Sequence, residues 1–412
     1  LVERTDLPGR RFWAVVAPLP LAIPAFIASY AWLSASTVFE GAAGALLVVV
    51  ASYYPLVYLP VAAALRSADP ALEESARTMG CSSLRCFFRV ILPQIKSALL
   101  GGMLLVVLDV LTEFGAFALL RFRTFTTAIY AEYTAGFAAS EGALLACVLL
   151  VLCLLCLAVE SFLRGHHDYA RTGRGARRPP IRYPLGRARY PTLLAMLGLG
   201  GVTLGVPLAL IVYWLTRHDV AAVATAGVSP GLLLGATFHS LGYGLAAGIV
   251  TTVVALPIAY LSVRHRHRLV RLMESASFLP RGMPGIVLAL ALVTLSLTLL
   301  RPLYQTAVLL IVGYAIIFIP LAVVSLRATL AQVQPGLEQS ARALGHRPIA
   351  VLFRVVLPLA APGIGAAMAL VFIAVVTELT TTLLLIPTGA RTLATQVWAS
   401  SSTFAFAAGR SR

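Results

Sequence analysis

Two carboxylates lie where a carboxylate is costly. Glu113 and Glu378 sit within apolar runs, each 20 residues past the proline of a Leu-Pro dipeptide, Pro93 and Pro358. Ionisable groups inside such runs tend to face a bundle interior or an aqueous cavity, where they gate ions or relay protons. Glu113 and Glu378 are therefore candidate pathway residues, facing each other across a central path. The bland alternative is a polar contact that holds two helices together. Asp109, four residues before Glu113, shares its helix face, but the matching position before Glu378 is Ala374.

Other reactive residue types form no constellation. Cys153 and Cys156 make a C-x-x-C, yet their neighbours are Leu and Val, and together with Cys147 they read as small apolar residues. Cys81 and Cys86 lie in a basic loop, and nothing suggests a disulfide framework. His166, His167, His265 and His267 fall in Arg-rich loops, better read as solvated than as metal ligands. The single lysine, Lys96, follows Pro-Gln-Ile, so no glycine-rich phosphate loop of the G-x-x-x-x-G-K type exists. No nucleophile or metal-ligand cluster stands out. The expectation is a non-catalytic chain with no metal and no cofactor of its own.

The elements that position these residues are membrane helices. Of 412 residues, 59% are hydrophobic and 12% charged, against about 25% charged in soluble domains. Apolar stretches of about 20 residues recur, enough to cross about 30 Å of hydrocarbon. Backbone groups in lipid must be satisfied internally, which favours helices, and the short alternating segments of a barrel are missing. Nine spans are predicted, at 12–33, 43–64, 98–120, 142–163, 191–215, 236–263, 284–300, 305–326 and 363–386. Pro24, Pro284 and Gly285 are places where a span can bend.

Charge orients the bundle. The formal net charge is +16, a value that in a soluble chain would raise nucleic acid as a partner. Here the basic residues alternate between loops. Residues 1–11, 65–97, 164–190, 264–283 and 327–362 hold 25 of the 32 Lys and Arg, so these loops face the cytosol beside anionic lipid. Nucleic acid is not expected. Arg121, Arg123, Arg301 and Arg391 fall on the other side and read as interfacial snorkelling. Residues 164–190 carry eight Arg with Gly and Pro, the composition of a linker. The predicted organisation is a first half at 1–163, the linker at 164–190 and a second half at 191–412.

A repeat unites the halves. Residues 72–93 read LEESARTMGCSSLRCFFRVILP and residues 337–358 read LEQSARALGHRPIAVLFRVVLP, a gapless offset of 265. The same offset pairs Thr112-Glu113 with Thr377-Glu378. An even number of spans separates the copies, so the repeat is parallel. Each copy predicts a short helix, a stop at Gly80 or Gly345 in the left-handed region, and an amphipathic helix ending at Leu-Pro. Glu73 and Glu338 fall early in the short helix, where a negative charge suits the macrodipole. Duplication of one cytosolic device suggests a partner present twice.

These loops resemble the EAA motif of binding-protein-dependent ABC importer permeases, E-A-A-x3-G-x9-I-x-L-P. The first copy supplies Glu74, Ser75, Ala76, Gly80, Val90, Leu92 and Pro93, and the second Gln339, Ser340, Ala341, Gly345, Val355, Leu357 and Pro358. Departures are Ser for the first Ala, Val for Ile and Gln339 for Glu, with Glu73 and Glu338 keeping a carboxylate one residue earlier. Two fused halves resemble the Fe(III)-type importers, as do LVERTDLPGRRFW, PLPLAIPAFIASYAW, ESASFLPRGMPGIVLALAL and TTTLLLIPTGARTLATQVW. The resemblance implies an all-α polytopic membrane protein with two parallel-repeat importer (MetI-like) transmembrane domains. It also implies that the sequence is incomplete at both ends, since intact relatives carry about six spans per half.

The resemblance further implies a transport subunit of the bacterial inner membrane. Its loops would seat in two copies of a cytosolic ATPase, which binds ATP and Mg. An extracytoplasmic binding protein would deliver cargo, with ferric iron preferred over thiamine, phosphonate, polyamine or a sulfate-like anion. The coupling residues implied are Glu73, Glu74, Ser75, Ala76 and Gly80, with Glu338, Gln339, Ser340, Ala341 and Gly345. A secondary transporter coupled to Na⁺ or H⁺ is the competing class; Glu113 and Glu378 would suit it, and the duplicated loop counts against it.

Overall fold

A computed structural model describes residues 1–68, 70–134, 139–164, 183–216, 230–265 and 267–400. His166, His167 and most of the expected linker lie outside the described residues. Among the described residues there is no strand, only one isolated bridge between Thr5 and Tyr183.

Helices account for the described chain. They are α1 (Arg10–Val16), α2 (Ala25–Ala35), α3 (Ala42–Ser67), α4 (Pro70–Thr78), α5 (Leu84–Thr112), α6 (Gly115–Leu119), α7 (Phe125–Thr134), α8 (Ala139–Arg164) and α9 (Gly186–Trp214). After them come α10 (Pro230–Arg264), α11 (Arg268–Phe278), α12 (Gly285–Thr298), α13 (Ala307–Leu330), α14 (Pro335–Ala343), α15 (Pro348–Thr377) and α16 (Thr380–Leu385). Seven helices are long and apolar enough to cross a membrane, or nine spans if each of two bent pairs counts as one.

The bends arise from the sequence. A 3-10 turn over Leu19–Ala22 or Leu279–Gly282 follows α1 and α11. Ile23 and Met283 are then extended, as residues before proline prefer. Pro24 and Pro284 begin the next helix, whose first N–H groups return to their carbonyls. The two helices meet at 88° in the first pair and 106° in the second. Residues 264–283, expected as a loop, thus contain the amphipathic helix α11 and this turn.

A second difference concerns the spans expected at 98–120 and 363–386. The helices run instead over Leu84–Thr112 and Pro348–Thr377, and they do not stop at Leu-Pro. Ahead of each proline the helix widens into a π turn, Phe87–Ile91 and Leu352–Val356. Leu92 and Leu357 donate to the carbonyl five residues back, that of Phe87 and Leu352. The wider turn makes room where proline offers no N–H and its ring crowds the preceding turn.

By packing, the chain forms two compact units, Leu1–Ala128 with Val151–Val220 and Ile129–Leu150 with Ala221–Arg412. This division differs from a division at the linker: α9, most of which lies past residue 190, packs in the first unit. The first core gathers Ala25, Ala28, Trp32, Ala45, Val48, Ala116, Phe117 and Leu120. The second joins α10, α12, α13 and α15 through Ala247, Ala255, Ala259, Ala289, Val293, Leu310, Val323, Ala360, Ala367 and Val371. Small residues let these helices approach closely, as lipid-embedded packing requires. At Gly102, an added Cβ would lie 2.8 Å from the Val57 Cα and 2.9 Å from the Leu56 carbonyl oxygen.

Because both obstructing atoms are backbone, Gly102→Val must part α3 from α5. The expected loss is about 1–3 kcal/mol, read as a lower unfolding midpoint in detergent. Gly365→Ala, with open space around it, should hold or raise that midpoint.

Candidate functional site

The repeat helices α4 and α14 each span nine residues. Both stop at glycine. Gly80 and Gly345 take φ of +81° and +88°, with no atom within 4 Å of an added Cβ. Cys81 donates its N–H to the Ala76 carbonyl and His346 to that of Ala341, while Gly80 and Gly345 reach Arg77 and Arg342. This is a Schellman stop in both copies.

Each helix has an inward and an outward side. Glu73 and Glu338 are turned inward and only 1% and 5% exposed, with Ala76 and Ala341 buried one turn later. The Arg4 guanidinium donates to Glu73 Oε2 at 3.0 Å, and Arg77 lies 3.7 Å from the other oxygen. In the second copy Arg264 donates to Glu338 Oε1 at 2.7 Å, and the Tyr260 hydroxyl to Oε2 at 3.0 Å. Arg264 also donates to the Val333 carbonyl at 2.8 Å, just ahead of α14. Glu73 and Glu338, counted among the coupling residues that the resemblance implies, are engaged by their own chain. Charge burial explains it: a carboxylate leaves water only if paired.

The outward side presents Glu74 and Ser75, or Gln339 and Ser340, all exposed. Around them stand bare apolar side chains at matching positions: Leu72 and Leu337, Met79 and Leu344, Leu84 and Ile349, Phe88 and Phe353. Met79 is 81% exposed and Leu344 80%. These apolar pairs are not part of the motif, although the offset of 265 aligns them. Arg4, Tyr260 and Arg264 also lie outside it. Arg4 and Arg264 correspond at an offset of 260, as do Pro24 and Pro284, so a gapless comparison at 265 passes over them.

Glu113 and Glu378 stand at the ends of α5 and α15, with extended backbone, not within those helices. Each side chain caps the short helix that comes next. Glu113 Oε1 accepts the Ala116 N–H at 2.8 Å and Glu378 Oε1 the Thr381 N–H at 3.0 Å. Their own carbonyls accept the hydroxyls of Thr126 and Thr382, each at 2.6 Å. Tyr53 donates a short hydrogen bond to Glu113 Oε2. Beside Glu378 lies Gly285, where an added Cβ would come 2.9 Å from Thr381 Oγ1 and 3.4 Å from Glu378 Oε1. The geometry supports a cap at a break between helices.

A cap needs an acceptor, whereas cation passage or proton relay needs the charge. Glu378→Gln keeps an acceptor and should leave thermal stability within a few tenths of a kcal/mol, roughly the scale of a tolerated cap exchange. Glu378→Ala should cost about 1 kcal/mol, read by unfolding in detergent. Loss of transport in the Gln variant at unchanged stability would instead point to a role for the charge.

Comparison with known proteins accords with this architecture. Residues 6–165 and 244–410 each match the family described as binding-protein-dependent transport system inner membrane component. An Fe(3+)-transport system permease protein of Haemophilus influenzae is 35% identical over 409 residues, covering 99% of this chain and 80% of that protein. A ferric transport system permease protein of Actinobacillus pleuropneumoniae is 23% identical over 82% of this chain, which spans about half, 51%, of that relative. A probable ABC transporter permease protein of Sinorhizobium fredii is 27% identical over 88% of this chain and 70% of its own length. With both halves matched and the motif present twice, the chain belongs to the inner membrane permeases of binding-protein-dependent transport systems, a non-catalytic family whose ATPase is a separate subunit.

Proposed function

We propose that this chain forms the membrane path of a ferric-iron importer, with α4 and α14 each seated on one copy of a cytosolic ATPase. Cargo arrives on an extracytoplasmic binding protein. The observation that carries the docking reading is the matched pair of outward faces. Exposed Met79 and Leu344, with Leu72, Leu84, Leu337 and Ile349, put apolar surface on loops where it has no use in water. Rimmed by Glu74, Ser75, Gln339 and Ser340, such a face has the anatomy of a protein interface, with an apolar centre and a polar edge. Its occurrence in both copies favours one partner present twice. The iron reading is supported by the relatives named for Fe(3+) and ferric transport.

Transport then works by alternating access. Closure of two ATPase subunits around ATP displaces both loops together and shifts the bundle toward the state open to the binding protein. Hydrolysis returns it. Bound nucleotide contributes only through its differential affinity for the two states.

Two measurements test the proposal. Met79→Glu with Leu344→Glu should leave the permease folded, because both side chains are exposed, and should weaken ATPase binding at least about thirtyfold, read by co-purification. Proteoliposomes holding permease, ATPase and binding protein should accumulate radiolabelled ferric iron only with ATP present. Accumulation of another cargo but not iron would remove the substrate assignment, and iron uptake without the ATPase would remove the docking assignment.

A further inference from the structure

Resting on that docking reading, we propose that the Arg4–Glu73 and Arg264–Glu338 pairs are the mechanical links through which each docking helix moves the membrane helices. Little else holds these helices. Among the described side chains of α4 only Glu73 and Ala76 are buried, and in α14 only Glu338 and Ala341. An alanine methyl can slide over its neighbours at small cost. A carboxylate fixed by a guanidinium resists displacement in direction as well as distance, because charge-assisted hydrogen bonds are short and oriented. The buried polar hold of each docking helix on its own chain is therefore one glutamate, joined in the first copy by Arg77 over the Tyr183 ring.

What that glutamate grips is the end of a longer element. Arg264 is the last residue of α10, whose 35 residues end there. Tyr260, one turn earlier on α10, takes the second carboxylate oxygen. Arg264 also fastens the Val333 carbonyl between α13 and α14, so it joins three elements of the second unit. Arg4 lies just ahead of α1. Its carbonyl is held by the Tyr183 N–H at 2.8 Å, and the Tyr183 ring lies under the Arg77 guanidinium at 4.6 Å. A push on α14 is thus delivered to α10, and a push on α4 to the segment entering the bent span.

The duplication points to position over stability. A buried ion pair stabilises little beyond what an apolar pair of the same volume would, since desolvation offsets attraction; its best-attested use is to fix register. Both copies retain the pair at corresponding places, Arg at an offset of 260 and Glu at 265. Glu73, Glu338, Arg4 and Arg264 are positioning residues; the partner meets Glu74, Gln339 and the apolar side chains around them.

The test uses the full complex of permease, ATPase and binding protein in proteoliposomes, and reads cargo transported per ATP hydrolysed alongside ATPase co-purification. Glu73→Gln with Glu338→Gln should keep the ATPase bound and lower the ratio about fivefold or more, the scale of a lost coupling step. Exchanging the partners, Arg264→Glu with Glu338→Arg, should recover a large part of what Glu338→Gln alone loses. A wild-type ratio in the double Gln variant would overturn the proposal. Loss of bound ATPase from that variant would overturn it too, because the carboxylates would then be partner contacts. If the Gln variants do not accumulate, Arg264→Lys keeps the charge but has one nitrogen in place of the two that hold Glu338 and Val333 separately, and its ratio should fall; an unchanged ratio there also overturns the link. Failure of the unmodified permease to bind any ATPase would instead strike the docking reading.

Discussion

A carboxylate that leaves water needs a cation or a set of N–H donors, and four glutamates of this chain organise its working parts under that constraint. Glu73 and Glu338 meet arginines; Glu113 and Glu378 meet the N–H groups that open a short helix. Every one belongs to the repeat. The first pair orients a loop that leaves the bundle, and the second fixes the corner where a membrane helix gives way to another direction. An exposed ion pair contributes under about 1 kcal/mol. Removing one member of a buried pair costs about 3–5 kcal/mol, because the other charge is stranded. Such a difference lets a nine-residue helix with two buried side chains keep a defined attitude.

The bent spans depend on the same corners. Where a helix breaks inside lipid, its freed backbone groups need partners within the protein. In the second unit the start of α12, at Pro284-Gly285, packs against Glu378 and Thr381. A side chain at Gly285 would crowd the Thr381 hydroxyl next to the carboxylate. In the first unit the residue after Pro24 is Ala25, which joins the core with Ala116 and Phe117, and Tyr53 donates to the second oxygen of Glu113. The two copies therefore reach one backbone design through different side chains.

Much of this was legible in the sequence because it depends on local rules. Hydropathy located nine apolar segments, and the offset of 265 located α4, α14 and their glycine stops. The helix that passes through Leu-Pro was not legible. Proline argues for a boundary unless a π turn widens the helix first, and no residue type announces that turn. Shifting α5 and α15 toward their N-termini also carried Glu113 and Glu378 from mid-helix to helix end, which changes what they can do. The inward turn of Glu73 and Glu338 escaped for another reason: their partners lie 69 and 74 residues away in sequence, and only folding brings them together.

The two repeat helices α4 and α14 are alike in frame and unlike in detail, and the unlike parts fall on the side that holds the buried glutamate. In the first copy Arg77 reaches toward Glu73 while its guanidinium covers Tyr183, a residue near the end of the expected linker. In the second copy Tyr260 of α10 occupies the carboxylate directly. An aromatic residue thus completes each site, but through the cation in one and through the carboxylate in the other. Within α4 and α14 the copies differ by one charge, Glu74 against Gln339, and the exposed apolar positions around them match. The proposed partner, present twice, would need equivalent seats, and the exposed apolar positions do match between the copies. The fastenings answer to different neighbours, so they need only hold each glutamate in the same place.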